Sequence, residues 1–125
     1  MKSLSTAIRI PDLLLLLLLS APGLGRAESA RIFELSADDW ARPRSGAVVA
    51  QMEPVRLAVS YWDSTPRAAI MLSYPGEDSG ELWASELRDW MISLGVPSDA
   101  ILLAPGLQSS DRLRLLVGKR EELNP

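Results

Sequence analysis

The chain contains no cysteine and no histidine. The absence of cysteine excludes disulfides and lipidation of an N-terminal cysteine, and the absence of both excludes zinc sites built from Cys and His. Catalysis by a cysteine, or by a serine that a histidine activates, is excluded for the same reason. No other residue set resembles an active site, so we predict a protein that is not an enzyme, with no catalytic residues, no metal and no cofactor.

The composition is that of a folded protein. Of the 125 residues, 47% are apolar and 23% are charged, which is ordinary for a globular chain of one domain with one core. Four tryptophans are many for this length. Because tryptophan is costly to leave exposed, we expect some of them in the core and some on a contact surface.

Residues 1–27 have the pattern of an export signal. Lys2 and Arg9 supply a positive start, residues 13–19 are an unbroken run of leucine, and small residues precede Ala27. We predict cleavage after Ala27 and a periplasmic mature chain of residues 28–125. The alternative is an uncleaved anchor, but Asp12 and Pro22 bracket a run that is about half of the ~20 apolar residues that a spanning helix needs.

The mature chain is acidic. The precursor has 13 basic and 16 acidic residues, and residues 1–27 hold three of the basic and one of the acidic ones, so 10 basic and 15 acidic residues remain, a net charge of −5. The short basic groups are interleaved with acid, whereas duplex binding requires a basic face. We therefore predict no direct contact with nucleic acid.

Residues 65–106 predict a compact strand–helix–strand unit. An apolar run over residues 67–74 predicts a strand, and Asp78 with Glu81 three positions later predicts a capping box at a helix start. One apolar stripe predicts the buried face of that helix, and it consists of Trp83, Leu87, Trp90, Met91 and Leu94. Gly95 predicts the helix end, and residues 100–104 predict a second strand.

The flanking segments complete a small domain. Residues 30–36 predict a first strand, a helix is predicted from Glu53 with Pro54 at its N1 position, and residues 112–118 alternate like a strand with one buried face at or near a sheet edge. The order β-α-β-α-β-β predicts an α/β sandwich, a mixed sheet with two helices on one face. One domain is expected over residues 28–125, with its core in residues 31–118.

An acidic group precedes the central helix. Glu77, Asp78 and Glu81 could hold a calcium ion, but their spacing lacks the ligand pattern of a calcium loop. A helix N-terminus itself favours carboxylates, so we interpret the group as helix capping rather than as a metal site.

A contact surface is the alternative to chemistry. We predict a partner contact that combines Trp40, Arg42 and Arg44 after the first strand with Glu77, Asp78 and Glu81. The alternative to this contact is that Trp40 covers the core and that the charged side chains are solvated. If Trp40 and Arg44 are surface residues, their joint replacement by alanine should change stability by no more than about 1 kcal/mol.

The order of elements and the segment LRDWMISLGVPSDAILLAPG, residues 87–106, resemble the C-terminal peptidoglycan-binding domain of OmpA-like proteins. The resemblance implies peptidoglycan as a ligand. In that family an Asp after the second strand and an Arg in the second helix bind diaminopimelate. Asp78 and Arg88 are the nearby candidates here, and neither is in register, so no binding residue is carried over.

Three further segments, IFELSADDWARPRSG, SYPGEDSGELWASELRDWMISLG and AILLAPG, resemble a family of integrating conjugative element proteins. These are exported proteins encoded beside type IV secretion genes of genomic islands. The resemblance implies a periplasmic accessory of the conjugation machinery that binds other envelope proteins. The alternatives are a peptidoglycan-binding module and a small periplasmic hydrolase.

Overall fold

The computed structural model describes residues 30–42 and 44–123. The predicted signal segment and its cleavage site lie outside these residues. Strand β1 (Arg31–Ser36) is followed by three helices, α1 (Ala37–Trp40), α2 (Gly46–Gln51) and α3 (Glu53–Asp63). Strand β2 (Ala68–Pro75), helix α4 (Asp78–Ser93), strand β3 (Ile101–Leu107) and strand β4 (Arg112–Lys119) complete the order. Short 3₁₀ turns cover Ser98–Ala100 and Arg120–Glu122.

The four strands form one mixed sheet in the order β1-β4-β2-β3. Strands β2 and β3 are parallel neighbours joined by α4, which confirms the predicted strand–helix–strand unit. Strand β4 is antiparallel to both β1 and β2 and therefore lies inside the sheet. It is the second strand of the four, next to the edge strand β1, in keeping with its predicted position at or near an edge. The charged residues that alternate along β4 mark a sheet face without helices rather than a sheet edge.

Helices α3 and α4 cover one face of the sheet, as predicted for the sandwich. The core between them contains Ile70 and Leu72 of β2, Leu113 and Leu115 of β4, and Leu87 and Met91 of α4, all fully buried. Trp83 is also buried, and Trp90 and Leu94 pack at the margin of the core, so the predicted stripe of α4 is its buried face. Burial of these side chains is the main stabilising contribution to the fold.

The predicted helix boundaries at Glu53 and Gly95 are confirmed. Met52 takes an extended conformation, which separates α2 from α3, and α3 starts at Glu53 with Pro54 in its first turn. Gly95 has φ +109° after the C-terminus of α4. Its amide donates to the carbonyl of Ile92 and the amide of Val96 donates to that of Met91, the two bonds of a Schellman motif.

The predicted capping box at α4 is wrong. The helix starts one residue earlier than the box requires, with Glu77 as its N-cap and no side-chain bond to an amide there. The third helical position is consequently Gly80, which has no side chain to complete a box. Asp78 and Glu81 both lie in the first turn, where their charges still favour the helix dipole.

None of the helices within the described ranges is long and apolar enough to cross a bilayer.

Candidate functional site

Trp40, predicted as a contact residue, is part of the core. Ser36 caps α1 by accepting a hydrogen bond from the amide of Asp39 at 3.1 Å, and this short helix directs Trp40 inward. The indole is only 8% exposed and stacks on Trp83 of α4, with ring centroids 6.3 Å apart. The expectation that Trp40 is a surface residue is wrong, and the alternative that it covers the core is confirmed.

Arg44 fixes the connector after β1 to helix α4. Its guanidinium lies 4.4 Å from the centroid of the Trp40 ring and donates to both carboxylate oxygens of Glu86, at 2.9 and 3.1 Å. It also donates to the carbonyl of Trp40. The Arg44 side chain is 26% exposed. Because its guanidinium contacts Trp40 and Glu86, little of it is accessible to a partner.

The other predicted contact residues are at the surface. Arg42 is exposed and lies 3.4 Å from a carboxylate oxygen of Asp39. Glu77, Asp78 and Glu81 are exposed at the start of α4. The Trp40–Trp83 stack places the connector beside the first turns of α4, but no ion pair of the described residues joins Arg42 to the acidic group.

Within residues 30–42 and 44–123, no long helix covers the second face of the sheet, and we call it the open face. Its apolar residues include Met71 of β2, Leu102 of β3 and Leu116 of β4, with Ile32 of β1 as much as 56% exposed. Leu123, after the last turn, folds back on Ala69 and Met71. This surface was not predicted from the sequence, although Ile32, Leu102 and Leu116, which are apolar and face away from the core, could have indicated it.

A groove of about 510 Å³ runs over the open face at the end of β3. Met71, Ser73 and Ala104 form its floor, and Leu107 and Arg114 lie at its sides. Gln108 and Ser109 also line it, so the groove combines apolar and polar residues with one cation, a composition suited to contact with another molecule.

On the open face, hydrogen bonds between charged side chains join β1 and β4. Glu34 of β1 accepts hydrogen bonds from Arg112 at 2.9 Å and from Arg114 at 2.8 Å. These bonds, that of Arg114 first, lower the pKa of the Glu34 carboxyl. The hydroxyl of Ser109 and then Arg112 lower the pKa of Asp111, while Glu34 and then Asp111 raise the pKa of Arg112.

In residues 30–42 and 44–123, no three carboxylates come close enough together to hold a metal ion. Glu77, Asp78 and Glu81 lie exposed at the start of α4, and none of them caps the helix through a side-chain hydrogen bond.

Comparison of the chain with protein-family models, with curated proteins and with solved structures finds no match.

Proposed function

We propose that the protein is an exported, non-enzymatic accessory of an integrating conjugative element that supports conjugative DNA transfer through contacts with other envelope proteins in the periplasm. Two features of the sequence support the proposal. Residues 1–27 have the pattern of an export signal, and three segments of the mature chain resemble proteins encoded beside type IV secretion genes.

The open face is the observation that carries the proposal. Ile32 is 56% exposed there and Leu102 and Leu116 are half-buried, whereas Met71 is buried beneath them, and the Arg112–Glu34–Arg114 group borders these residues. An apolar centre with a charged border is the usual anatomy of a surface that binds another protein. The partner that fits it is a folded envelope protein with an apolar patch of its own.

The test compares transfer frequency in donor cells that carry the intact gene, a deletion, and the deletion complemented with variants. We expect the deletion to lower transfer and the intact gene to restore it. Ile32→Lys should restore transfer poorly, because it puts a charge into the open face. Leu57→Lys, at an exposed position of α3 on the other side of the molecule, is the matched control and should restore transfer fully.

Each variant must first accumulate in the periplasm at the level of the wild type. Transfer at the normal level in the deletion strain would contradict the proposed function. Loss of transfer in the deletion strain together with full restoration by Ile32→Lys would keep the function and place the contact elsewhere, with Arg42 and the acidic group as the next candidates.

Peptidoglycan binding is a second candidate. It is favoured by the parallel β2–α4–β3 unit, whose helix ends at Leu94-Gly95-Val96-Pro97 as the resembling family's helix does. The purified protein should then sediment with purified peptidoglycan. Failure to sediment would remove this candidate and leave the accessory function untouched.

A further inference from the structure

A cleft at one end of the sheet collects three cationic side chains. Arg31 begins β1, Arg67 directly precedes β2, and Lys119 ends β4. Because β4 is antiparallel to both of its neighbours, these three positions meet at the same end. They line a cavity of about 550 Å³ together with Tyr61, Thr65 and Glu122. The acidic group lies beyond the other end of β2.

The charge of this cleft is not compensated within the described part of the chain. Arg31, Arg67 and Lys119 form no ion pair there, whereas a carboxylate pairs with each of Arg42, Arg44, Arg88, Arg112 and Arg114. Glu122 is the one carboxylate of the lining, and it accepts a hydrogen bond from the backbone amide of Lys119 at 2.9 Å. Three cations and one carboxylate leave an excess of two positive charges in an acidic protein.

An aromatic ring holds one of the three cations in place. The guanidinium of Arg31 lies 4.4 Å from the centroid of the Tyr61 ring. Stacking on an aromatic face orients the planar guanidinium while leaving its N–H groups at the edge free to donate. Arg31 is thereby presented to the cleft in a restricted geometry.

The backbone of Arg67 is strained. Its φ is +58°, the single positive value among non-glycine residues of the described part. The amide of Ala68 donates to the carbonyl of Thr65 at 3.2 Å, which closes a turn with Pro66 and Arg67 at its centre. Proline followed by positive φ is the type II arrangement, in which glycine is the favoured residue at the position of Arg67. Arginine here carries a conformational cost and adds a cation to the cleft, and such strain is concentrated at binding sites.

We propose that this cleft binds a phosphomonoester group. Such a group carries a charge of about −1.5 to −2 at neutral pH, which matches the excess charge, whereas a single carboxylate would compensate half of it. Guanidinium groups suit phosphate because their paired N–H donors match its oxygens. The site is distinct from the open face, so it adds to the proposed function without depending on it.

The ligand can come from solution or from a lipid surface, and two arms of one experiment separate these sources. In the first, the purified protein is titrated with inorganic phosphate and amide chemical shifts are followed. In the second, the protein is sedimented with phosphatidylcholine vesicles that contain or lack phosphatidic acid. Shifts confined to the surroundings of Arg31, Arg67 and Lys119 identify a soluble ligand. Sedimentation that requires phosphatidic acid identifies a lipid headgroup. No binding in either arm overturns the proposal.

Variants test the assignment to these residues. Arg67→Gly removes a cation and also relieves the positive φ, so we expect a higher urea midpoint together with about tenfold weaker binding. Arg31→Gln should weaken binding to a similar degree. The control is Arg42→Gln, which makes the same change in net charge at a side chain 74% exposed and remote from the cleft. Unchanged binding by Arg67→Gly, or an equal loss in the control, would show that no site exists here.

Discussion

Arg42 and Arg44 are two positions apart and have different surroundings. The guanidinium of Arg44 covers the Trp40 ring and binds Glu86 through two nitrogens, so it orders the connector against α4. Arg42 extends into solvent beside Asp39, where an ion pair contributes little to stability. The sequence shows two equivalent arginines flanking a proline. Their difference arises because Glu86, 42 positions after Arg44, binds only Arg44.

Trp40 should be among the most sensitive positions of the chain. Trp40→Ala removes a buried ring and leaves a cavity beside Trp83, and we expect it to lower the free energy of unfolding by about 3–5 kcal/mol. Urea denaturation measures the change. Leu82→Ala, at a side chain 71% exposed, is the control and should stay within about 0.5 kcal/mol of the wild type. A change as small for Trp40 as for Leu82 would contradict its burial.

The Glu34 carboxylate makes the free energy of unfolding of the protein depend on pH. Its pKa is lowered in the folded protein, so its stabilisation is complete above the ordinary value of 4.5 and is lost as the pH falls through the lowered value. The free energy of unfolding of the wild type should therefore exceed that of Glu34→Gln at neutral pH. This difference should shrink as the pH is lowered below 4.5. Urea denaturation over that range checks it, and a difference that stays constant with pH would contradict the role of Arg112 and Arg114.

At the level of elements, contact between α4 and β2 depends on Gly80. A Cβ built at this position would lie 2.1 Å from the carbonyl oxygen of Pro75, much closer than two such atoms can approach. The first turn of α4 consequently lies directly on the end of β2. The sequence shows a glycine in a helix, which by itself indicates only a weaker helix.

Gly80→Ala should destabilise the protein although alanine favours helices. Either α4 moves away from β2 or the strand end shifts, and we expect a loss of about 1–3 kcal/mol in the free energy of unfolding. Gly46→Ala is the matched control, because its Cβ would lie an ordinary 3.6 Å from the Trp90 ring at the start of α2. We expect it to be neutral or to stabilise by about 0.4–1 kcal/mol. Thermal or urea unfolding of both variants measures the two changes in stability. Equal changes would contradict the close approach of Gly80 to Pro75.

Elements were predictable from sequence where the signal is local. The stripe of α4, the glycine stop at Gly95 and the proline start of α3 each depend on residues within one or two turns. The capping box failed because α4 has Glu77 as its N-cap, which places Gly80 at the third helical position, against the end of β2. The alternation along β4 predicted one buried face but not the strand order, because alternation reports how many faces of a strand are covered and carries no information on how many neighbours it has.

At the scale of the whole molecule, the sandwich class followed from element order, while the candidate sites did not. The predicted contact group was chosen by residue types that are common in interfaces. Trp40 does not belong to it, because its side chain is buried in the structure. The open face and the cationic cleft combine residues from three or four strands or turns. Arg31, Arg67 and Lys119 come together only through the order of the strands in the sheet, and no single segment of the sequence predicts that order.

The interior position of β4 has a consequence for how the chain is made. Glu34 of β1 and Arg112 of β4 are 78 positions apart, and β4 is the only described strand with which β1 pairs. A polypeptide that leaves the ribosome from its N-terminus therefore holds β1 without this partner until Arg112 of β4, 78 positions after Glu34, has also emerged. Pairing between segments so far apart in sequence slows folding. The sheet is completed only once β4 is available to pair with both β1 and β2.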